Sequence, residues 1–183
     1  MATEKKEFLT FKLAREEFAV EINRVQEIRG WQVPSPLPNV PSFVKGVIDL
    51  RGTIVPILDL RDRFKLPASY NATTVVIVVH ILTKQGERIV GLVVDAVSDV
   101  NEFDVNNLQA APDISNSIDN QFILGLSTIF DSNSQSAAQV VSGQDAKPKK
   151  GRMVILVDID SLASEGLIDQ ISSNADGVIT GNG

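Results

Sequence analysis

The residues of this sequence that could support catalysis are few and scattered. His80 is the only histidine among 183 residues, and cysteine is absent. A catalytic histidine needs a nucleophile within reach. His80 instead follows the apolar run 75–79, as a structural histidine at a strand end does. A single imidazole, scattered carboxylates and no thiol argue against zinc, haem or iron–sulfur sites. We therefore expect neither an enzyme active site nor a cofactor.

Three further residues have side chains suited to chemistry or recognition. Asp59 and Asp158 each follow a short apolar run. Paired carboxylates can act as general acid and base, but an aspartate in this position more often caps the following turn. We expect the capping role for both. Trp31, the only tryptophan, lies beside a proline-rich segment and is either a partner anchor or a packing residue of that loop.

The elements that must position these residues are mainly strands. Short polar turns join three pairs of apolar, β-rich segments, which predicts three hairpins. The paired segments are 8–13 with 18–22, 43–50 with 53–60, and 73–82 with 88–94. Residues 33–41 contain four prolines, which remove backbone donors and fix φ, so this segment is expected to be an ordered extended loop. Asp158 begins the best helical pattern of the chain.

The second half of the chain repeats the first. Residues 18–28 align without a gap with residues 90–100, and the apolar positions coincide. Two more matches continue the repeat, 43–47 with 122–126 and 56–60 with 155–159. Two copies of a five-strand pattern indicate two small β-barrels or sandwiches related by a pseudo-two-fold axis. Each copy is small enough to be marginal alone, so an extensive interface between them is expected.

The repeat also predicts the domain boundaries. The first barrel is expected at 7–69 and the second at 70–169. Within the second copy, residues 132–150 form an insertion rich in Ser, Gln, Asn, Ala and Lys, a composition expected to be mobile. The tail at 170–183 is rich in Ser, Asn and Gly and is expected to be disordered.

Composition and charge exclude several classes of function. The chain is 43% hydrophobic and 22% charged, with 17 basic against 23 acidic residues and an isoelectric point near 4.8. An acidic chain with few aromatic residues is a poor nucleic-acid binder. No apolar run approaches the ~20 residues of a membrane helix, and no signal peptide begins the sequence, so we expect a cytoplasmic protein without direct membrane insertion. Residues 1–70 carry a net charge of +2 and residues 71–183 a net charge of −8, which suits a protein that holds two partners.

One segment carries a specific family signature. Residues 41–61, PSFVKGVIDLRGTIVPILDLR, closely resemble the core signature of the CheW family, the bacterial chemotaxis coupling proteins. The resemblance covers about residues 7–168 and is gapped only at the insertion. It implies an all-β fold of two five-stranded SH3-like barrels with a C-terminal helix. In this family the N-terminal strand, 7–14 here, can join the second barrel instead of the first.

The resemblance implies a non-enzymatic adaptor. Its expected partners are the cytoplasmic tip of a chemoreceptor, the regulatory domain of the chemotaxis histidine kinase, and other coupling-protein copies in rings. Its expected location is the cytoplasm, in association with membrane receptor arrays. Alternatives are a coupling protein of a non-flagellar pathway that controls pili or a second messenger, and a small-barrel nucleic-acid binder.

The resemblance also implies site residues. Six positions match family positions that contact the receptor or shape its groove: Val25, Glu27, Gly46, Arg51, Val76 and Val97. Two match positions for kinase or ring contacts: Ile22 and Ile114. For the valines an ordinary core position is the alternative. Gly46 could instead permit a bulge or close packing, and Arg51 could be a solvated turn charge.

Overall fold

The protein is described here by a computed structural model. It describes residues 3–83, 85–110, 122–130 and 151–163. Ten strands dominate the described chain: β1 Lys5–Leu13, β2 Glu16–Glu21, β3 Val25–Gly30, β4 Val44–Leu50, β5 Thr53–Asp59, β6 Val75–Thr83, β7 Gly86–Val94, β8 Ala96–Asp104, β9 Ile123–Phe130 and β10 Gly151–Val157. A short helix, α1 at Leu60–Arg63, follows β5, and 3-10 helices occupy Ile22–Arg24 and Ile159–Ala163. Among the described residues, no helix is long and apolar enough to cross a membrane.

The strands form two five-stranded sheets with matching topology. One has the order β3-β6-β7-β5-β4 and the other β8-β1-β2-β10-β9. We call them barrel I (β3–β7) and barrel II (β1, β2 and β8–β10). Each contains antiparallel hairpins and one parallel pair, β5 with β7 in barrel I and β10 with β2 in barrel II. The all-β prediction and the three predicted hairpins, β1–β2, β4–β5 and β6–β7, are confirmed.

The two barrels exchange strands, and the predicted boundary at 69/70 does not separate them. The strands β6 and β7 belong to barrel I, whereas β1 and β2 pair with C-terminal strands in barrel II. The alternative in which the first strand joins the second barrel is therefore the observed one, and β2 follows it. The chain crosses from barrel II to barrel I at Ile22–Arg24 and returns at Asp95. The boundary was predicted by assigning one repeat copy to each barrel. It is wrong because each copy contributes strands to both barrels.

Three apolar cores lie inside and between the barrels. Because side chains alternate along a strand, each central strand serves two of them. In β7, Val93 packs inside barrel I, while Leu92 and Val94 face a core shared by both barrels. In β1, Phe8 packs inside barrel II, while Phe11 belongs to the shared core. The shared core is the largest of the three, so each barrel completes its burial against the other, as expected for units of this size.

The predicted helix near the C-terminus is only partly within the described residues. Ile159–Ala163 form a 3-10 helix directly after Asp158. The rest of that helix, the insertion 132–150, the tail 170–183 and Ile114 lie outside the described residues. The capping prediction is confirmed for Asp59, whose Oδ1 accepts a hydrogen bond from the backbone N–H of Arg61 at 3.0 Å.

Candidate functional site

The candidate site is built around the tight turn between β4 and β5. Arg51 and Gly52 form this two-residue turn with φ values of 52° and 87°. Positive φ at both positions is the pattern of a type I′ hairpin. The backbone N–H of Gly52 donates to Asp49 Oδ1 at 2.8 Å, which closes the turn. A left-handed conformation is about 1 kcal/mol less favourable than a right-handed one for a residue with a Cβ atom. The hairpin nevertheless holds the Arg51 backbone in it.

The Arg51 side chain lies against a carboxylate of β3. Its Nη2 donates to both Glu27 oxygens, at 2.9 and 3.1 Å, while 74% of the side chain is exposed. Arg29 Nη1 lies 3.7 Å from Glu27 Oε2, which Arg51 also contacts. The three side chains form a cluster with a net charge of +1. Within the described chain only Nη2 of Arg51 makes a hydrogen bond, which leaves its Nε and Nη1 donors for an incoming acceptor.

Gly46 has a backbone role next to this turn. Its φ is +136°, and a Cβ atom built there would lie 2.0 Å from the carbonyl oxygen of Ser35. Ser35 and Val47 exchange two backbone hydrogen bonds of 2.9 Å, and a β-bulge falls between Val44 and Gly46. The proline-rich loop is therefore docked onto β4 through the space that the missing side chain leaves. This is the bulge alternative that the sequence left open.

The three candidate valines separate into two groups. Val25 is the first residue of β3 and Val97 the second residue of β8, each close after a crossing; both are half-buried and pack against the shared core. Val76 is 3% exposed inside barrel I, where a Cβ atom on Gly91 would lie 2.7 Å from its Cγ1. Val76 is thus a core valine, the other role that the sequence allowed, and we do not keep it in the partner-binding set.

Of the two candidate kinase contacts, one can be described. Ile22 lies in the 3-10 helix at the first crossing, is half-buried, and packs against the shared core three residues before Val25. His80 lies on β6, and its Nδ1 is 2.8 Å from Glu87 Oε1 without the alignment of a hydrogen bond. That placement favours the structural role expected for the only histidine.

A buried ionic network missed by the sequence analysis lies at α1, directly after β5. Arg61 is fully buried and contacts Asp59 through Nε and Nη2, at 2.9 and 3.0 Å. Its Nη1 donates to Asp95 Oδ1 at 2.6 Å, and the hydroxyl of Tyr70 donates to Asp59 Oδ2 at 2.8 Å. Trp31 stacks on Tyr70 with ring centroids 4.4 Å apart, which is the loop-packing role for Trp31. Asp59 and Arg61 are only two residues apart, so their ion pair could have been predicted from the sequence. Asp95 is distant in the chain, and no local pattern identifies it as a partner of Arg61.

The network shifts the pKa values of its members. Burial opposes ionisation of Asp59, but the hydrogen bonds from Arg61 and Tyr70 outweigh it and hold the pKa of Asp59 below its ordinary value. Burial would also lower the pKa of Arg61, yet its bonds to Asp59 and Asp95 raise it. Burial, together with the bond to Asp59, raises the pKa of Tyr70 to about 12. All three groups therefore keep their charge states across the physiological range. In the described ranges no group of three or more acidic or histidine side chains is placed to hold a metal ion.

Comparison with known proteins identifies the family. The family model described as a CheW-like domain matches residues 7–166. The chain belongs to the CheW-like family. It is 37% identical over 172 residues to the chemotaxis protein CheW of Klebsiella aerogenes, covering 92% of this chain and 89% of that protein. It is 34% identical to the chemotaxis protein CheW of Rhizobium meliloti, with 86% of each chain covered.

A solved structure of the same family has the same fold. The scaffolding protein TtCheW of Thermoanaerobacter tengcongensis superposes with a TM-score of 0.65 at 27% identity, covering 86% of this chain and 87% of that one. The CheW-like chain described here is accordingly a scaffold protein of chemotaxis without enzymatic activity. Glu27, Gly46 and Arg51 all lie within the matched range.

Proposed function

We propose that this protein is a non-enzymatic adaptor that couples chemoreceptors to the chemotaxis histidine kinase, in the cytoplasm at membrane receptor arrays. The observation that carries the proposal is the exposed Arg51 side chain, which lies on the β4–β5 turn within the family signature and pairs with Glu27 of β3. A fixed guanidinium presents donors in a planar fork, which suits recognition of carboxylates and carbonyl groups. No bond is made or broken, so the function is to hold two partners at a fixed spacing.

The receptor contact has an apolar and a polar part in this proposal. Val25 and Val97, half-buried beside the shared core, offer apolar contacts to one face of a receptor helix. The Arg29–Glu27–Arg51 cluster offers a weakly positive polar edge. A helix that lays its apolar face on a partner commonly combines these two kinds of contact. Gly46 acts indirectly, because it fixes the loop beside the turn.

The kinase contact is proposed next to the receptor contact, three residues before Val25 in the chain. Ile22, at the first crossing between the barrels, is its described member, and Ile114 is the second proposed residue. Contacts of the same kind would join further copies of the coupling protein in a ring. An adaptor requires that both partners bind at once.

A charge-swap series tests the receptor contact. Arg51→Glu is expected to weaken binding of a receptor signalling fragment at least tenfold in isothermal titration. The melting temperature should change little, because an exposed ion pair contributes only about 0.2–1 kcal/mol. Arg15→Glu, an exposed charge in the β1–β2 turn of barrel II, is the matched control and should bind normally.

A double variant separates two explanations of lost receptor binding: loss of the guanidinium at position 51, or loss of its internal ion pair with Glu27. Combining Arg51→Glu with Glu27→Arg restores an ion pair but leaves a carboxylate at the turn. Continued weak binding means that the partner reads the guanidinium at position 51. Recovery would mean that only the internal pair matters. Unchanged affinity in Arg51→Glu itself would remove Arg51 from the site. A titration with the kinase regulatory domain, alone and with receptor fragment present, tests whether both partners bind without competition.

A further inference from the structure

The two crossings between the barrels carry equivalent ion pairs. At the crossing from barrel I to barrel II, Asp95 accepts from Arg61 Nη1 at 2.6 Å and from the backbone N–H of Ala14 at 2.5 Å. At the other crossing, Asp160 accepts from Arg24 Nη1 at 3.0 Å and Nη2 at 2.5 Å, and from the backbone N–H of Leu82 at 2.9 Å. In both places, therefore, a carboxylate ties an arginine and an amide across the junction of the two barrels.

The two amides occupy equivalent positions in the repeat. Phe11 pairs with Phe18 in barrel II as Val79 pairs with Val90 in barrel I, and residues 18 and 90 are equivalent by sequence. Three residues further along, this register places Ala14 and Leu82 at matching positions. The Ala14 amide therefore probes the pair that contains Asp95, and the Leu82 amide probes the pair that contains Asp160.

The pairs differ in burial. The Arg61 side chain is fully buried and is also held by Asp59, although its partner Asp95 is 26% exposed. The Arg24 and Asp160 side chains are 24% and 33% exposed, and the further acceptor of Arg24 is the carbonyl of His80 at 2.9 Å. Solvent and salt screen an exposed pair far more than a buried one. The Arg24–Asp160 pair is therefore the more easily opened of the two.

The partly exposed Arg24–Asp160 pair also lies beside empty space. A cavity of about 120 Å³ is lined by seven residues: Glu21, Arg24, Leu124, Val157, Asp158, Ile159 and Asp160. Ile159, 4% exposed, packs in the shared core from the 3-10 helix Ile159–Ala163. We call this helix the strap. The cavity gives the Arg24 guanidinium room to leave Asp160 without displacing packed side chains.

We propose that Arg24 and Asp160 form a latch that holds the strap over the shared core and releases it locally, while the Arg61–Asp95 pair stays closed. Arg24 lies between Ile22 and Val25 in the chain, so the closed latch fixes the crossing that carries both proposed contact residues. Arg24 is a positioning residue in this scheme. The release itself does not depend on the proposed function; only its effect on partner binding rests on it.

Amide hydrogen exchange, followed by NMR on the full chain, tests the latch. Arg24→Gln is expected to speed exchange of the Leu82 amide about tenfold or more, because Asp160 loses its charged partner. The Ala14 amide should keep its rate. Lys5→Gln is the matched control, since it removes an ion pair with Glu102 within barrel II and should leave both amides unchanged. In the unmodified protein, higher salt should speed Leu82 more than Ala14.

Two results would overturn the latch. Unchanged Leu82 exchange in Arg24→Gln would show that the pair does not hold the strap. Equal acceleration of Leu82 and Ala14 would show general destabilisation in place of a local release. A saturating receptor fragment should slow Leu82 exchange in the unmodified protein if binding favours the closed latch. Absence of that slowing, with the variant effect intact, would count against the link to binding and leave the latch standing.

Discussion

A methyl group added at Gly46 should destabilise the protein without removing any partner contact. Three costs add up at this position. Alanine at φ +136° is strained by about 1–3 kcal/mol. Its Cβ would lie 2.0 Å from the carbonyl oxygen of Ser35, so the loop must move away from β4. That movement breaks the two hydrogen bonds between Ser35 and Val47, each contributing about 1 kcal/mol. The expected loss for Gly46→Ala is about 3–5 kcal/mol, a large share of the stability of a typical domain.

Two other glycines provide a graded control. A Cβ atom on Gly30 would meet nothing within 4 Å, so Gly30→Ala should change the unfolding free energy by less than about 0.5 kcal/mol. Gly125 is the repeat equivalent of Gly46, and its Cβ would lie 2.6 Å from Leu108 Cβ and 3.1 Å from the Gln109 carbonyl oxygen. Its φ is not left-handed, so Gly125→Ala should fall between the other two.

Urea unfolding followed by circular dichroism measures the series. The expected order of stability is Gly30→Ala above Gly125→Ala above Gly46→Ala. Equal midpoints for Gly30→Ala and Gly46→Ala would refute the argument that close backbone approach requires glycine at position 46. If Gly46→Ala kept full stability and still lost receptor binding, Gly46 would be a contact residue after all.

Two further predictions concern the buried network. Arg61→Met should lower the unfolding free energy by about 3–5 kcal/mol in urea titration, because it leaves the buried carboxylate of Asp59 unpaired; a loss below 1 kcal/mol would contradict the network. Tyr70, the only tyrosine, should ionise near pH 12 when absorbance is followed at about 295 nm. Because its pKa is raised in the folded state, the stability it contributes is complete below about pH 10 and is lost as the pH rises towards 12. A midpoint near pH 10 in the folded protein would argue against its bond to Asp59.

Local patterns predicted the hairpins and the turns correctly. Strand alternation and short polar turns depend on neighbouring residues, so the β4–β5 hairpin and its turn at Arg51-Gly52 could be found in the sequence. The cap at Asp59 depends on a residue only two positions away. The signature at 41–61 likewise indicated the family that the comparison then identified.

Contacts between distant segments could not be found in the same way. Val25, Val76 and Val97 are all valines in apolar patterns, yet Val76 packs inside barrel I while the other two lie at the shared core. Which face of a strand is covered depends on the sheet that lies above it, and a single sequence does not carry that information. The pairing of Asp95 with Arg61, 34 positions apart in the chain, could not be predicted for the same reason: it depends on how distant segments pack.

The sequence by itself determined the strands, the repeat, the family and the absence of recognisable catalytic motifs, because these follow from residue type and short spacing. Only the tertiary structure decided how the two copies share their strands. Each repeat unit crosses between barrels, at Ile22–Arg24 and at Asp95, because a small barrel buries enough apolar surface only against its partner. That exchange buries the arginine of one ion pair completely and leaves both side chains of the other partly exposed.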